Sequence, residues 1–230
     1  MKIGVIGSNG FVGSELYKVF IDNLKNQVIG ITRSEFDSWR IRRAKYDFII
    51  HVANPARRLR AENDPTRDYL ETVDKTDMIL NEFRFSRLLL ISSLSCRTQP
   101  NSIYGRHRLE CERMVVASGG SVVRLGPMYA GHRNGTTLED IIHGRPVFFS
   151  EDTKYSYTNV GWNASYIAKG IQSFGGISEI GARNFISLRE IAQKLNSKSK
   201  FGTLNDDQIV ENFTHGPDAY ELLRYLEGDA

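Results

Sequence analysis

The chain has 230 residues, 40% of them hydrophobic and 25% charged, and 30 basic against 27 acidic side chains leave a formal net charge of +3. This is the composition of a globular protein long enough to bury a core, and it excludes a disordered or low-complexity chain. The densest basic stretches, Arg40-Ile41-Arg42-Arg43 and Arg57-Arg58-Leu59-Arg60, read as solvated helix faces or phosphate contacts, so no nucleic-acid partner is expected.

In chain order, Lys2 to Ile6 is a short apolar run that breaks into Gly7-Ser8-Asn9-Gly10-Phe11-Val12-Gly13 and resumes as a helical pattern through Val12, Leu16, Val19, Phe20 and Leu24. That is the grammar of strand, tight turn and helix. The three glycines serve different ends. Gly7 permits the turn, Gly10 lets backbone approach a pyrophosphate, and Gly13 lets the helix pack on the sheet. An anion would sit at the helix N-terminus, where unpaired N–H groups and the helix dipole point at it.

Val28 to Thr32 reads as a second buried strand, ending at Arg33-Ser34. In a dinucleotide fold this end faces the adenosine ribose, where an arginine pairs with the 2′-phosphate of NADP and a carboxylate accepts from the 2′-hydroxyl of NAD. Arg33 favours NADP, and Glu35 and Asp37 keep NAD open. A third strand, Tyr46 to Asn54, follows so soon that the intervening helix and strand of a full doubly wound unit must be cut down. Ser34 to Asp37 is expected as a brief extended piece before a helix over Ser38 to Ala44. A long helix over Asp68 to Phe85 is expected to turn Leu70, Val73, Met78, Ile79 and Phe83 inward.

Leu88 to Ile91 is a fourth strand, a helix starts near Ser102 and runs through Val115, and Ser121 to Leu125 is a further strand. Beyond Gly126 the pattern loosens as far as Pro146. Val147 to Phe149 is strand-like, Tyr155 to Val160 alternates, Ala164 to Phe174 is helical, Ser187 and Glu190 form a capping box, and Asp218 to Leu226 is a last amphipathic helix. Cys96 and Cys111 lack metal-ligand spacing and read as core residues or free thiols, so no metal is expected. No apolar run is long enough to span a bilayer and the first strand starts at residue 3, so the chain reads as cytoplasmic, with no membrane partner.

Taken in order, Gly7 to Gly13, His51-Val52-Ala53-Asn54, Ile91-Ser92-Ser93, Tyr104 to Glu112, Arg124 to Tyr129, Tyr157 to Val160 and Asn184 to Glu190 resemble the extended short-chain dehydrogenase/reductases. The likeness is to the NAD-dependent epimerase/dehydratase group acting on nucleotide-sugars, and it runs to about residue 195. The abbreviated segment between Arg33 and Tyr46 is more similar to the 4-keto reductase branch, although that branch's serine-threonine-aspartate sequence and catalytic lysine are absent. The resemblance implies an α/β, Rossmann-type doubly wound parallel sheet over residues 1–126. It implies a smaller substrate-binding portion with C-terminal helices over 127–230.

The resemblance also implies a chemistry. Tyr104 would be the acid/base that moves a proton while hydride passes to or from nicotinamide, Ser93 would orient the substrate oxygen, and Arg108 stands where the family has lysine. An ordinary phenol has a pKa near 10, so it needs a neighbouring cation one helical turn away. Arginine is larger and planar, which leaves open a protein that binds dinucleotide without turnover, as a redox sensor or scaffold. His107 reads as a surface residue. Gly7 to Gly13, Arg33, Ser34, Val52, Ala53, Asn54, Tyr104, Arg108, Gly126 and Met128 would hold NADP, with NAD as the alternative. The short interval between Ser93 and Tyr104 implies a smaller or more open sugar pocket. His132, Arg133, Asn134 and Arg145 fall where relatives meet the nucleotide diphosphate. A homodimer through the helices over 68–85 and 102–115 is implied as well.

Overall fold

The N-terminal apolar run forms strand β1, Lys2–Ile6, in a computed structural model that describes residues 1–23, 25–42, 44–130 and 136–228. Leu24, His132, Arg133 and Asn134 therefore lie outside the described residues. After β1 come α1 (Phe11–Ile21), β2 (Gln27–Ile31), α2 (Phe36–Arg42) and β3 (Lys45–His51). Next are α3 (Arg58–Asn63), α4 (Pro65–Tyr69), a π-helical turn Leu70–Asp74, α5 (Lys75–Glu82), β4 (Arg84–Ser93), α6 (Ser95–Thr98), α7 (Ile103–Ala117) and β5 (Ser121–Leu125).

Ile3, Val5, Ile31, Ile49 and Ile50 are wholly buried, as strands covered on both faces require, which is why these runs are continuously apolar rather than alternating. Each such side chain contributes about 1.5–3 kcal/mol on burial. β1 pairs in parallel with β2 and β3, placing Ile31 and His51 either side of Ile6. The six-stranded parallel sheet has the order β2, β1, β3, β4, β5 and then Ile177–Ile180. Successive connections leave β1 in opposite directions, so the crevice at the carboxyl ends of β1 and β3 is the topological switch point, the usual ligand position in such sheets.

The expected abridgement between Arg33 and Tyr46 is present: only α2 lies there, and β3 pairs straight onto β1. The extended piece expected at Ser34 to Asp37 does not form. Glu35 accepts from the Thr32 hydroxyl at 2.6 Å and its N–H at 3.2 Å, closing a turn that leads directly into α2.

The helix expected over 68–85 is interrupted by the π-turn. Three residues of π-helix advance less than an α-turn, so Leu70 and Val73 fall on different faces: Leu70 is 54% exposed, Val73 4%. Side chains occupy the carbonyls that the wider turn frees, the Thr72 hydroxyl donating to Asp68 O and the Thr76 hydroxyl to Thr72 O. β4 is longer than its apolar centre because Arg84, Phe85 and Arg87 pair with β3.

Two side chains satisfy the N-terminal donors of α7: the Ser102 hydroxyl accepts from Gly105 N–H at 2.9 Å and the Glu62 carboxylate from Ile103 N–H at 2.7 Å. Further along, the wholly buried Glu112 accepts from the Ser92 hydroxyl at 2.6 Å and from Arg124 at 2.6 and 3.0 Å, joining α7 to β4 and β5. A buried carboxylate with this many donors is balanced, and removing Arg124 leaves its charge stranded in the core.

Residues Met1–Arg124 with Ala164–Ser178 make one compact unit; Leu125–Asn163 with Glu179–Ala230 make the other. The second has short paired strands, Met128–Tyr129 with Thr158–Asn159, Val147–Phe149 with Phe201–Leu204, and Lys154–Tyr155 with Ile186–Ser187. Its core gathers Tyr129, Ile141, Tyr155, Ile186, Ile191 and Leu222. The capping box of Ser187 and Glu190 starts the helix Leu188–Lys194 as expected. The helix expected from Ala164 begins four residues earlier, at Val160, and ends at Gly170. Thr136 caps a helix, Thr137–Ile142, in the stretch read as loose. No helix among the described residues is long and apolar enough to cross a membrane.

Candidate active site

The turn between β1 and α1 has the geometry its glycines suggest. Gly7 has φ +95° and lies against the end of β3, so that a Cβ there would be 2.8 Å from Ala53 Cα. At Gly13 a Cβ would be 2.0 Å from Gly7 O, which is why α1 can pack against the turn only with glycine at this position. Gly10 differs. A Cβ there would meet only Gly7 O, at 3.2 Å, so the protein itself makes little demand on its smallness.

One cavity of about 190 Å³ opens at this turn, lined by Gly7, Asn9, Gly10, Val52, Ala53 and Asn54 and by Thr32, Arg33, Phe36 and Lys75. Gly10 is the N-cap of α1, and no side chain among the described residues caps the first donors of the helix. The Asn54 amide atoms Oδ1 and Nδ2 are both buried and without a hydrogen-bond partner among the described residues. Backbone donors at a helix N-terminus, a glycine with space above it, an unpartnered amide and two cations on one wall fit an extended, phosphate-bearing ligand.

Arg33 is mostly exposed and contacts Glu71 at 3.4 Å. Lys75 stands over the Phe36 ring, 5.8 Å from its centroid. Burial and the Arg33 charge hold its ammonium below the ordinary lysine range. The carboxylates near the end of β2 are engaged elsewhere, Glu35 by Thr32 and Asp37 by Arg40 at 3.2 Å.

Tyr104 and Arg108 lie on successive turns of α7 and are 6% and 2% exposed. The Arg108 guanidinium carbon is 4.6 Å from the Tyr104 ring centroid, one terminal nitrogen donates closely to Pro55 O, and the other, buried, has no hydrogen-bond partner among the described residues. Burial opposes its charge, while Tyr104 beside it holds the guanidinium above its ordinary value. Because Pro55 also lines the cavity, Arg108 connects the Tyr104 side of α7 to the loop that follows β3.

His51, at the end of β3, is fully buried. Its Nδ1 accepts from Ala53 N–H at 3.4 Å, so Nε2 carries the proton and donates to the Thr76 hydroxyl at 3.1 Å. Burial first, then the charges of Lys75 and Arg108, push its pKa down to about 3. His107, read as a surface residue, is instead mostly buried: its Nδ1 is 2.8 Å from Asp68 Oδ2, and Tyr69 lies edge-on to its ring. The Asp68 carboxylate, on a separate helix, gives it a partner that no local pattern reveals.

Comparison with solved structures adds the fold's relatives. The chain is similar to a UDP-glucuronic acid 4-epimerase from Bacillus cereus, solved with UDP-glucuronic acid and NAD, at TM-score 0.79 and 16% identity over 98% of this chain and 93% of that one. A UDP-N-acetylglucosamine 4-epimerase from Methanobrevibacter ruminantium aligns at TM-score 0.78 and 14% identity over 98% and 95%. The Thermus thermophilus UDP-glucose 4-epimerase, solved with NAD, aligns at 0.73 and 15% over 100% and 94%. The fold is that of the nucleotide-sugar epimerases. No protein-family model matches the sequence, and no curated protein matches it.

Within this epimerase fold the remaining expected residues are placed as follows. Ser93 ends β4, its hydroxyl 3.3 Å from both the N–H and the hydroxyl of Ser95 at the start of α6. Ser8 lies beneath the turn, 2.8 Å from where a Gly30 Cβ would be; Phe11 and Val12 form the first turn of α1; the Ser34 hydroxyl bonds that of Thr32 at 3.1 Å. Gly126 and Met128 belong to the second unit, where Gly126 N–H donates to Ile180 O and Met128 pairs with Thr158. Arg145 is held by Asp140 at 2.8 Å. Lys75 and Thr76 were not singled out by the sequence, because polar residues in a helical pattern read as its solvated face.

Proposed function

We propose that the protein is an NADP(H)-dependent oxidoreductase or epimerase acting on a nucleotide-linked sugar or similar small carbonyl compound. The observation that carries this reading is the continuity from the glycine turn to the buried Tyr104–Arg108 pair, made through Pro55, which both lines the cavity and accepts from Arg108. Gly7, Gly10, Gly13 and the N-terminus of α1 would seat a pyrophosphate, and Asn54 would satisfy its amide on the ligand. Arg33 favours a 2′-phosphate, whereas two of the relatives described above were solved with NAD. Nicotinamide, when bound, supplies or accepts hydride. Tyr104 would move the proton on the substrate oxygen, with Ser93 orienting that oxygen. Arg108 would supply the neighbouring positive charge that the family obtains from lysine, and its unpartnered nitrogen leaves it one donor to offer.

Fluorescence titration with NADPH and NADH, followed by a panel of nucleotide-sugars, tests the reading. Tyr104→Phe is expected to lower turnover by about 10²–10⁴-fold, the usual weight of a general acid/base. Arg108→Lys is expected to retain or raise turnover. Absence of binding to either dinucleotide at millimolar concentration overturns the proposal. Binding without turnover on any substrate, unaltered by Arg108→Lys, selects the non-catalytic alternative.

A further inference from the structure

The cation that distinguishes this cavity is contributed by the helix after the π-turn. Lys75 opens α5 directly behind that turn and lines the same cavity as Thr32 and Arg33. Its position depends on the π-turn and on Thr76, the next residue, whose hydroxyl bonds both Thr72 O and buried His51. Among the described residues Lys75 makes no ion pair and no hydrogen bond; its ammonium stands over the face of Phe36. Two carboxylates whose charge acts on it are paired with other cations: Asp37 with Arg40 at 3.2 Å and Glu71 with Arg67 at 3.1 Å.

Two like charges thus converge on one wall of a cavity with no carboxylate committed to Lys75. Burial and the Arg33 charge both disfavour the Lys75 ammonium, against a smaller opposing pull from Glu71 and Asp37. A doubly negative group placed between them removes that repulsion and satisfies both cations, which a neutral ribose hydroxyl does not.

We propose that Lys75, with Arg33, forms a phosphomonoester subsite that grips the 2′-phosphate of a dinucleotide's adenosine ribose and sets the cavity's preference for the phosphorylated form. This rests on the dinucleotide-binding reading above. Arg33 can turn to the ligand because Arg67 remains with Glu71. Lys75 needs no rearrangement of partners.

Calorimetric titration of the full chain with adenosine 2′,5′-bisphosphate and with 5′-AMP tests this without any turnover. The unaltered protein is expected to bind the bisphosphate more tightly. Lys75→Met, which keeps an unbranched chain over Phe36 but removes the charge, is expected to weaken the bisphosphate about tenfold, the scale of one charge-assisted contact. It should leave 5′-AMP unchanged, and Lys75→Arg should keep the preference. If Lys75→Met weakens both ligands equally, or neither, the inference is overturned and Lys75 has a structural role or none. Equal affinity of the unaltered protein for the two ligands also overturns it, leaving the dinucleotide reading standing. Failure to bind either ligand sinks both.

Discussion

At the scale of single residues, Arg108 fills two geometric roles that one ammonium could not divide between them: its fork donates to Pro55 O while its plane covers the Tyr104 ring. The glycines of the first turn separate just as sharply by what surrounds them. A Cβ at position 13 meets a backbone carbonyl that has no freedom to retreat, whereas one at position 10 needs a shift of a few tenths of an ångström. Gly13→Ala is therefore expected to cost about 2–3 kcal/mol of stability or more, read as a fall in thermal midpoint, and Gly10→Ala less than about 1 kcal/mol. Gly10→Ala should nonetheless weaken dinucleotide binding, since its Cβ would occupy the space above the turn. Equal losses of stability at both positions would contradict this division of roles. The roles of Gly10 and Gly13 were legible in the sequence because the atom nearest each, Gly7 O, lies within six residues. His107 was not: its partner, Asp68, is far away in the chain and the two meet only when α4 packs near α7.

At the scale of elements, the π-turn between α4 and α5 decides more of the site than any regular helix does. Its freed carbonyls are taken by Thr72 and Thr76, and Thr76 links the turn to the end of β3 through His51. Thr76→Val keeps the volume but removes the acceptor for the His51 N–H and the donor to Thr72 O. Chemical denaturation should show a loss of about 1–3 kcal/mol, the cost of leaving buried polar groups unmade, and a loss below about 0.5 kcal/mol would mean that the turn holds without this link. The capped starts of the helices at Ser102 and Ser187 were visible in the sequence, since a cap is a contact over three residues. The π-turn was not visible. Apolar spacing over 68–85 suits an unbroken helix, and the departure is selected by packing against α7 and β3 rather than by any local preference.

For the whole molecule, the neutral, buried His51 ties stability to pH. Its pKa is about 3 in the folded protein against an ordinary 6.5, so between these values the unfolded chain binds the extra proton. Stability from this group is complete above pH 6.5 and is lost as pH falls toward 3. At pH 5 the loss relative to neutrality is about 2 kcal/mol. Urea unfolding at pH 7 and pH 5 should show this difference in the unaltered protein and a smaller one in His51→Gln; equal pH dependence in the two would show that His51 is not its source.

The places of β1 to β5, the glycine turn and the shortened passage from β2 to β3 were determined by the sequence itself, because each is written in hydrophobic runs and turn residues adjacent along the chain; the parallel sheet followed from the resemblance, and its sixth strand, Ile177–Ile180, was found only in the tertiary structure. Which charges meet at the cavity was decided only by tertiary structure. Arg33 ends β2 and Lys75 opens α5, Arg108 reaches Pro55 from α7, and His51 finds Thr76 across the gap between β3 and α5. These encounters depend on β1 standing between β2 and β3 and on one wide helical turn, and neither the order of strands in a sheet nor the rotation of a helix past a π-turn is encoded in any single stretch of residues.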